Sequence, residues 1–175
     1  MEYFELVQSK NVRNPVAVMK LDRKKYNHEM TKEDFEALER LKVAYFSGRE
    51  TEEACDILTD PAYMVSDRLR KVLKLYDKTL ECKGVQLFPT SELCGRYPMY
   101  WVPGFERVDC LHESAEKYDN GMLKRLVLDE RKAEGHPVFR IGGILEYKVV
   151  VALPVAESIL RRRPYGVSLQ RVEVK

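Results

Sequence analysis

Two stretches of this chain carry the same order of parts. The first runs from Ala62-Tyr63-Met64-Val65 through Ser66-Asp67-Arg68-Leu69-Arg70-Lys71-Val72-Leu73 to Gly84-Val85-Gln86-Leu87-Phe88. The second runs from Tyr147-Lys148-Val149-Val150-Val151-Ala152 through Leu153-Pro154-Val155-Ala156-Glu157-Ser158-Ile159-Leu160 to Gly166-Val167-Ser168-Leu169-Gln170. Each reads as a short apolar stretch, a helix and a Gly-Val strand. A strand is apolar on one face and such a helix on one stripe, so each unit must bury itself against another layer. The doubled pattern therefore points to two similar strand–helix–strand units packed into one fold. Neither copy contains a catalytic constellation.

Both helices have local reasons to form. Ser66 stands at an N-cap position, and Leu69, Val72, Leu73 and Tyr76 follow at the spacing of one buried helical face. In the second copy Pro154 suits the first turn of a helix, which would bury Val155, Ala156, Ile159 and Leu160. Arg161-Arg162-Arg163 falls in its last turn, where cations complement the helix dipole, and Pro164 stops it. Thr31-Lys32-Glu33-Asp34 has the form of a capping box before a short helix carrying Phe35 and Leu38. Strands are expected at Tyr3–Val7, Val16–Met19, Tyr97–Val102, Glu106–Leu111, Leu126–Leu128, Val138–Ile141 and Lys148–Ala152, with a last one from Gly166 to Val174. Leu41–Phe46 reads equally as a strand or as the continuation of the preceding helix. Asn120-Gly121 marks a hairpin-type turn. The sum is an α+β fold, a mostly antiparallel sheet with two or three packed helices.

A chain of 175 residues is expected to form a single domain over residues 1–175, long enough to bury a core unaided. If it divides, the break falls near Thr90–Arg96, giving 1–90 and 97–175. Charged residues make up 33% of the chain, yet the formal net charge is only +2, so no overall pull toward nucleic acid or an anionic membrane is expected. No window reaches the roughly 20 apolar residues of a membrane helix, and Met1–Leu6 lacks the basic and apolar regions of a signal peptide. A cytoplasmic protein is the expectation. Cys55, Cys82, Cys94 and Cys110 are scattered, which suits free thiols in a reducing compartment. An edge strand left open would offer a way to pair two copies in a homo-oligomer.

Few residues suggest chemistry. Asp109, Cys110, His112, Glu113 and Ser114 form the densest group of reactive types, and a Cys with a His at hydrogen-bond reach is one form of activated nucleophile. A buried Cys in an edge strand is the plainer reading. The Cys and His residues lack the pairwise spacing of a zinc site, and the glycines form no phosphate loop, so neither metal nor cofactor is expected. Arg68, Arg70, Lys71, Lys74 and Lys78 on one helix, and Arg161–Arg163 on the other, read either as solvated faces or as contacts for an acidic or nucleic-acid partner. Glu50, Glu52, Glu53, Asp56 and Asp60 form an acidic run that reads as a solvated loop or as a docking surface for a basic partner. Tyr97, Tyr100 and Trp101 suit either a strand core or an interface anchor.

From Tyr63 onward the order of motifs resembles a family of bacterial immunity proteins. It runs through Val65-Ser66 and Leu73, Gly84-Val85-Gln86-Leu87-Phe88-Pro89, Tyr100-Trp101-Val102-Pro103 and Val108-Asp109-Cys110-Leu111. It continues through Leu126-Val127-Leu128-Asp129 and Val138-Phe139-Arg140-Ile141 to Val150-Val151-Ala152, Val155-Ala156, Leu160 and Gly166-Val167. The family was long filed as a domain of unknown function, and its genes lie beside polymorphic toxins. One departure is that Ala152-Leu153-Pro154 stands where the first copy has Val65-Ser66-Asp67. The resemblance implies a cytosolic, non-catalytic protein that binds and neutralises a cognate toxin. It transfers no binding residues, and the first 60 residues match less well. The alternative from the residues themselves is a small enzyme or nucleic-acid-binding protein using Asp109–Ser114 or the basic helix faces.

Overall fold

The computed structural model describes residues 1–175. Its N-terminal part contains β1 (Tyr3–Gln8), α1 (Lys32–Ala37), β2 (Leu41–Phe46), β3 (Ile57–Leu58), β4 (Met64–Ser66), α2 (Asp67–Tyr76), β5 (Cys82–Pro89) and β6 (Met99–Pro103). There follow β7 (Arg107–Val108), β8 (Glu116–Lys117), β9 (Leu123–Arg125), β10 (Val127–Leu128), α3 (Glu130–Ala133), β11 (Val138–Ile141), β12 (Val149–Ala152), α4 (Leu153–Arg161) and β13 (Val167–Val174). One sheet has the order β2-β5-β6-β4-β3 and another the order β10-β13-β1-β12-β11-β7, with β8 and β9 forming a small hairpin. Most pairings are antiparallel, and the fold is α+β as the sequence leads one to expect.

The doubled unit is present in space. In one sheet β4 leads through α2 to β5; in the other β12 leads through α4 to β13. In both, the strand after the helix pairs in parallel with an outer strand, β2 in the first and β10 in the second. In both, an antiparallel strand sits between the two strands of the unit. That place belongs to β6 in the first sheet and to β1, from the opposite end of the chain, in the second. A cut between residues 90 and 97 therefore does not separate the sheets: β1 lies inside the second and β6 inside the first.

Ser66 caps α2, its Oγ accepting from the Leu69 N–H at 3.2 Å, whereas α4 starts without a side-chain cap and with Pro154 in its first turn. The two helices pack together in opposite directions. Arg68 at the start of α2 reaches the Arg162 carbonyl at the end of α4 (3.5 Å), and Tyr76 at the end of α2 reaches the Pro154 carbonyl (3.0 Å). The core between them draws Leu69, Val72 and Leu73 from α2, Val155, Ala156 and Ile159 from α4, and Leu6, Val65, Val138 and Val151 from both sheets. Two further cores back the outer faces of the two sheets.

Local expectations hold or fail for identifiable reasons. Thr31 and Asp34 complete a reciprocal capping box, and α1 ends at Ala37, so Leu41–Phe46 is free to be a strand. Val16–Met19 is not a strand. Val16 and Val18 face the first core, but the backbone finds a partner only at two single bridges, Pro15 with Glu53 and Met19 with Tyr45. Glu106–Leu111 yields only two strand residues, and Asp129 caps a one-turn helix, α3, that its sequence did not announce. No helix is long and apolar enough to cross a membrane.

Candidate functional site

Successive strand residues point to opposite faces, so each face of the five-stranded sheet can be read from its register. Ala44, Phe46, Val85, Leu87, Tyr100 and Val102 face the first core. On the other face, register places Leu41 beside Gly84 and Trp101, Val43 beside Gln86 and Met99, and Tyr45 beside Phe88. Helix α2 covers the β4 side of this face, where Val65 joins the shared core. The β2–β5 side has no covering element. Leu41 is 54% exposed, Val43 46% and Tyr97 58%, and Phe88 is exposed too.

These side chains form one continuous surface. Gly84 is its floor: a Cβ built there would meet Met99 Cε at 2.9 Å, Leu41 Cδ1 at 3.0 Å and Trp101 Cζ3 at 3.4 Å. The missing side chain lets three apolar groups converge over the backbone. Phe88 and Tyr97 meet edge to face, with ring centroids 5.7 Å apart. Cations bracket the patch, with the Arg70 guanidinium 4.0 Å from the Trp101 ring centroid and Lys20 Nζ 4.8 Å from that of Tyr45. A large apolar patch rimmed by polar groups is the usual mark of a protein-contact surface. Strand β2 is also the edge of its sheet, and Met19 pairs with it only at Tyr45.

Most of the acidic run is engaged within the fold. Glu52 is buried, its carboxylate accepting from the Gly48 and Arg49 N–H groups at 2.9 and 3.1 Å. Glu53 Oε2 accepts from the Arg13 and Asn14 N–H groups at 3.0 and 2.8 Å, and its Oε1 accepts from the Tyr165 hydroxyl. The hydroxyl is the main reason the Glu53 carboxyl titrates below the usual glutamate value. Asp56 is buried and accepts from Ser66 Oγ, Arg68 and the Tyr165 N–H. These carboxylates satisfy loop amides and donors that would otherwise lack partners. Glu50 is left turned to solvent. Tyr100 and Trp101 part company because they alternate along β6. Tyr100 is buried and donates to the Cys55 carbonyl at 2.8 Å, while Trp101 is half-buried on the patch side with a buried, unpartnered Nε1.

Within the group from Asp109 to Ser114, no hydrogen bond joins Cys110 to His112. Cys110 is buried in the third core, and burial pushes its thiol up to about 11, so it is protonated at neutral pH. His112 Nδ1 lies 2.8 Å from Ser114 Oγ and accepts from the Ser114 N–H at 3.1 Å. Much of the basic charge on α2 is matched within the fold: Arg70 and Lys71 pair with Asp67, and Arg68 with Asp56. Arg161 pairs with Glu157, and Arg162 donates to Ser158.

Sequence reasoning missed Leu41, Val43, Tyr45, Phe88 and Met99. The signal was present in Leu41–Phe46, where apolar residues stand at both parities while only one face is buried. The chain matches no protein-family model, and no curated protein matches it.

Proposed function

We propose that this chain is a non-catalytic binding protein of the immunity type, which holds a cognate bacterial toxin and neutralises it. The reading is supported by the resemblance from Tyr63 onward and, above all, by the uncovered apolar face of Leu41, Val43, Tyr45, Phe88, Tyr97 and Met99. Aromatic and aliphatic side chains on a rigid sheet provide contact area at little entropic cost. Lys20, at the margin and without an ion pair, complements a partner with an apolar centre and acidic surroundings. Trp101 remains a candidate anchor at the edge of the patch, whereas Glu52, Asp56 and Tyr100 are held inside the fold.

The test is direct binding of this protein to the toxin encoded beside it, measured by calorimetry. Submicromolar affinity is expected, together with rescue of cells expressing the toxin. Val43→Asp and Phe88→Asp should each weaken binding by at least about tenfold while the protein still folds, since both side chains are partly exposed. Absence of binding, or binding indifferent to both substitutions, overturns the reading. A nucleic-acid partner draws one supporting observation, the approach of Arg68 to Arg162, which brings the two basic runs together. Binding that falls steeply with added salt would favour it instead.

A further inference from the structure

On another side of the molecule a cleft of about 1110 Å³ opens between α1, the turn after α2, and the loops flanking β7 and β11. Arg140, on β11, projects into it. The side chain is half-buried and has no carboxylate within ion-pair distance. Its Nη1 and Nη2 donate to the Met30 and His28 carbonyls at 3.4 and 3.2 Å, and its Nε is buried without a partner. The guanidinium lies 4.4 Å from the ring centroid of Tyr147, also in the cleft wall. Burial lowers its pKa from the usual arginine value, and the charge of Arg107 adds to the effect.

Arg107 is the register partner of Arg140 on the parallel strand β7, so both side chains rise from the same face. Arg107 lines the same cleft, is exposed, and forms no ion pair. Two neighbouring arginines without a counter-ion, one of them partly desolvated, are costly to hold together. The same pair becomes favourable once a planar or tetrahedral oxyanion accepts from both guanidinium groups. Near this pair Glu106 is engaged by His136 at 3.0 Å; Glu29, Glu33, Glu36 and Glu81 sit exposed toward solvent, and Asp77 is half-buried and accepts from Thr79. A short anion need not lie across those exposed carboxylates, as a long polyanion would.

We infer that this cleft is a binding site for a small ligand bearing a carboxylate or phosphate group, held by Arg140 and Arg107. The inference is independent of the toxin reading, because the cleft and the apolar sheet face share no residue.

The probes are inorganic phosphate and acetate, titrated into the full chain against sodium chloride at matched ionic strength. Thermal unfolding and amide chemical shifts are the readouts. At least one probe should raise the unfolding midpoint saturably and shift amides of β7 and β11. A response to phosphate alone assigns a phosphate-bearing ligand, and a response to acetate alone a carboxylate. Arg107→Ala should leave the unliganded midpoint no lower, and slightly raised by the relieved repulsion, and weaken the response about tenfold. Arg140→Met should abolish it; should that variant not fold, Arg107→Ala decides by itself. Midpoints that follow ionic strength alone, or an affinity unaltered by Arg107→Ala, overturn the inference.

Discussion

Asp56 joins the two copies of the strand–helix–strand unit, and its removal should be among the most damaging polar substitutions in the chain. Its Oδ1 accepts from Ser66 Oγ, the residue that caps α2, and its Oδ2 accepts from Arg68 and from the Tyr165 N–H ahead of β13. Its backbone also donates to the Tyr165 carbonyl at 2.8 Å and accepts from the Ser66 N–H at 2.9 Å, so the side chain completes a junction already drawn by the main chain. Hydrogen bonds to a buried charge are worth about 1.5–3 kcal/mol each. Arg68 is 51% exposed, so its share must be discounted for solvent. Asp56→Ala should then cost about 3–5 kcal/mol, in the range for breaking a buried charged network. In a chain of this size that is a fall of about 6–20 °C in the unfolding midpoint. Asp56→Asn should be milder, at about 1–2 kcal/mol. Its amide can turn so that the oxygen still accepts from Tyr165 and Arg68 while the nitrogen donates to Ser66. Arg68→Ala should cost less than about 1 kcal/mol. Chemical denaturation with an unchanged slope measures all three. If Asp56→Ala costs no more than Arg68→Ala, Asp56 is an ordinary surface ion pair and the junction argument is wrong.

Leu73→Ala opens a cavity in the core shared by α2 and α4 and should cost about 2–5 kcal/mol in the same denaturation assay. Acid should destabilise the fold: Glu53 titrates low chiefly through the Tyr165 hydroxyl, and Asp67 chiefly through the Lys71 ammonium. Such depressed carboxylates stabilise the fold above their unfolded pKa, and the contribution is lost as pH falls through the folded value. The unfolding midpoint should stay level from neutrality to about pH 4.5 and then drop, with Glu53→Gln showing a shallower drop in a pH series of melts. The Cys55 and Cys110 thiols are both pushed up to about 11 by burial, so about one in a thousand is ionised at pH 8. Mass spectrometry after alkylation should find them unmodified in the folded protein and fully modified in denaturant. Rapid labelling of either in the native state would contradict their burial.

The doubled unit was legible because its signals are local. The Ser66 cap, the spacing of Leu69, Val72 and Leu73, and the run Val149–Ala152 each act within a few residues of themselves. What places β1 between β12 and β13 is not local. Tyr3 pairs with Ala152 on one side and Val172 on the other, and nothing in Tyr3–Gln8 names those partners. Sequence shows that a strand exists, but both of its partners lie at the far end of the chain, where no local signal reaches. The same limit explains Val16–Met19. Its alternation is real and turns Val16 and Val18 into the core, but there was no long free edge for its backbone to join.

The candidate surface was illegible for the complementary reason. Acidic residues close together suggest an exposed patch only if their carboxylates have no task at home, and Glu52, Glu53 and Asp56 each have backbone N–H groups to satisfy. Apolar residues suggest core, yet Leu41, Val43 and Phe88 remain outside because α2 reaches across only part of one face. Which face stays bare depends on where the helix lands, and that follows from its packing against α4. The second copy of the repeat thus decides what the first leaves exposed. If that is correct, loosening the α2–α4 contact should alter the patch from a distance. Tyr76→Phe removes the hydroxyl that reaches Pro154 without touching the sheet. It should change amide shifts or hydrogen exchange along β2 and β5 while costing only about 1 kcal/mol. Shifts confined to the ends of the two helices would mean that the sheet holds its bare face without help from the second unit.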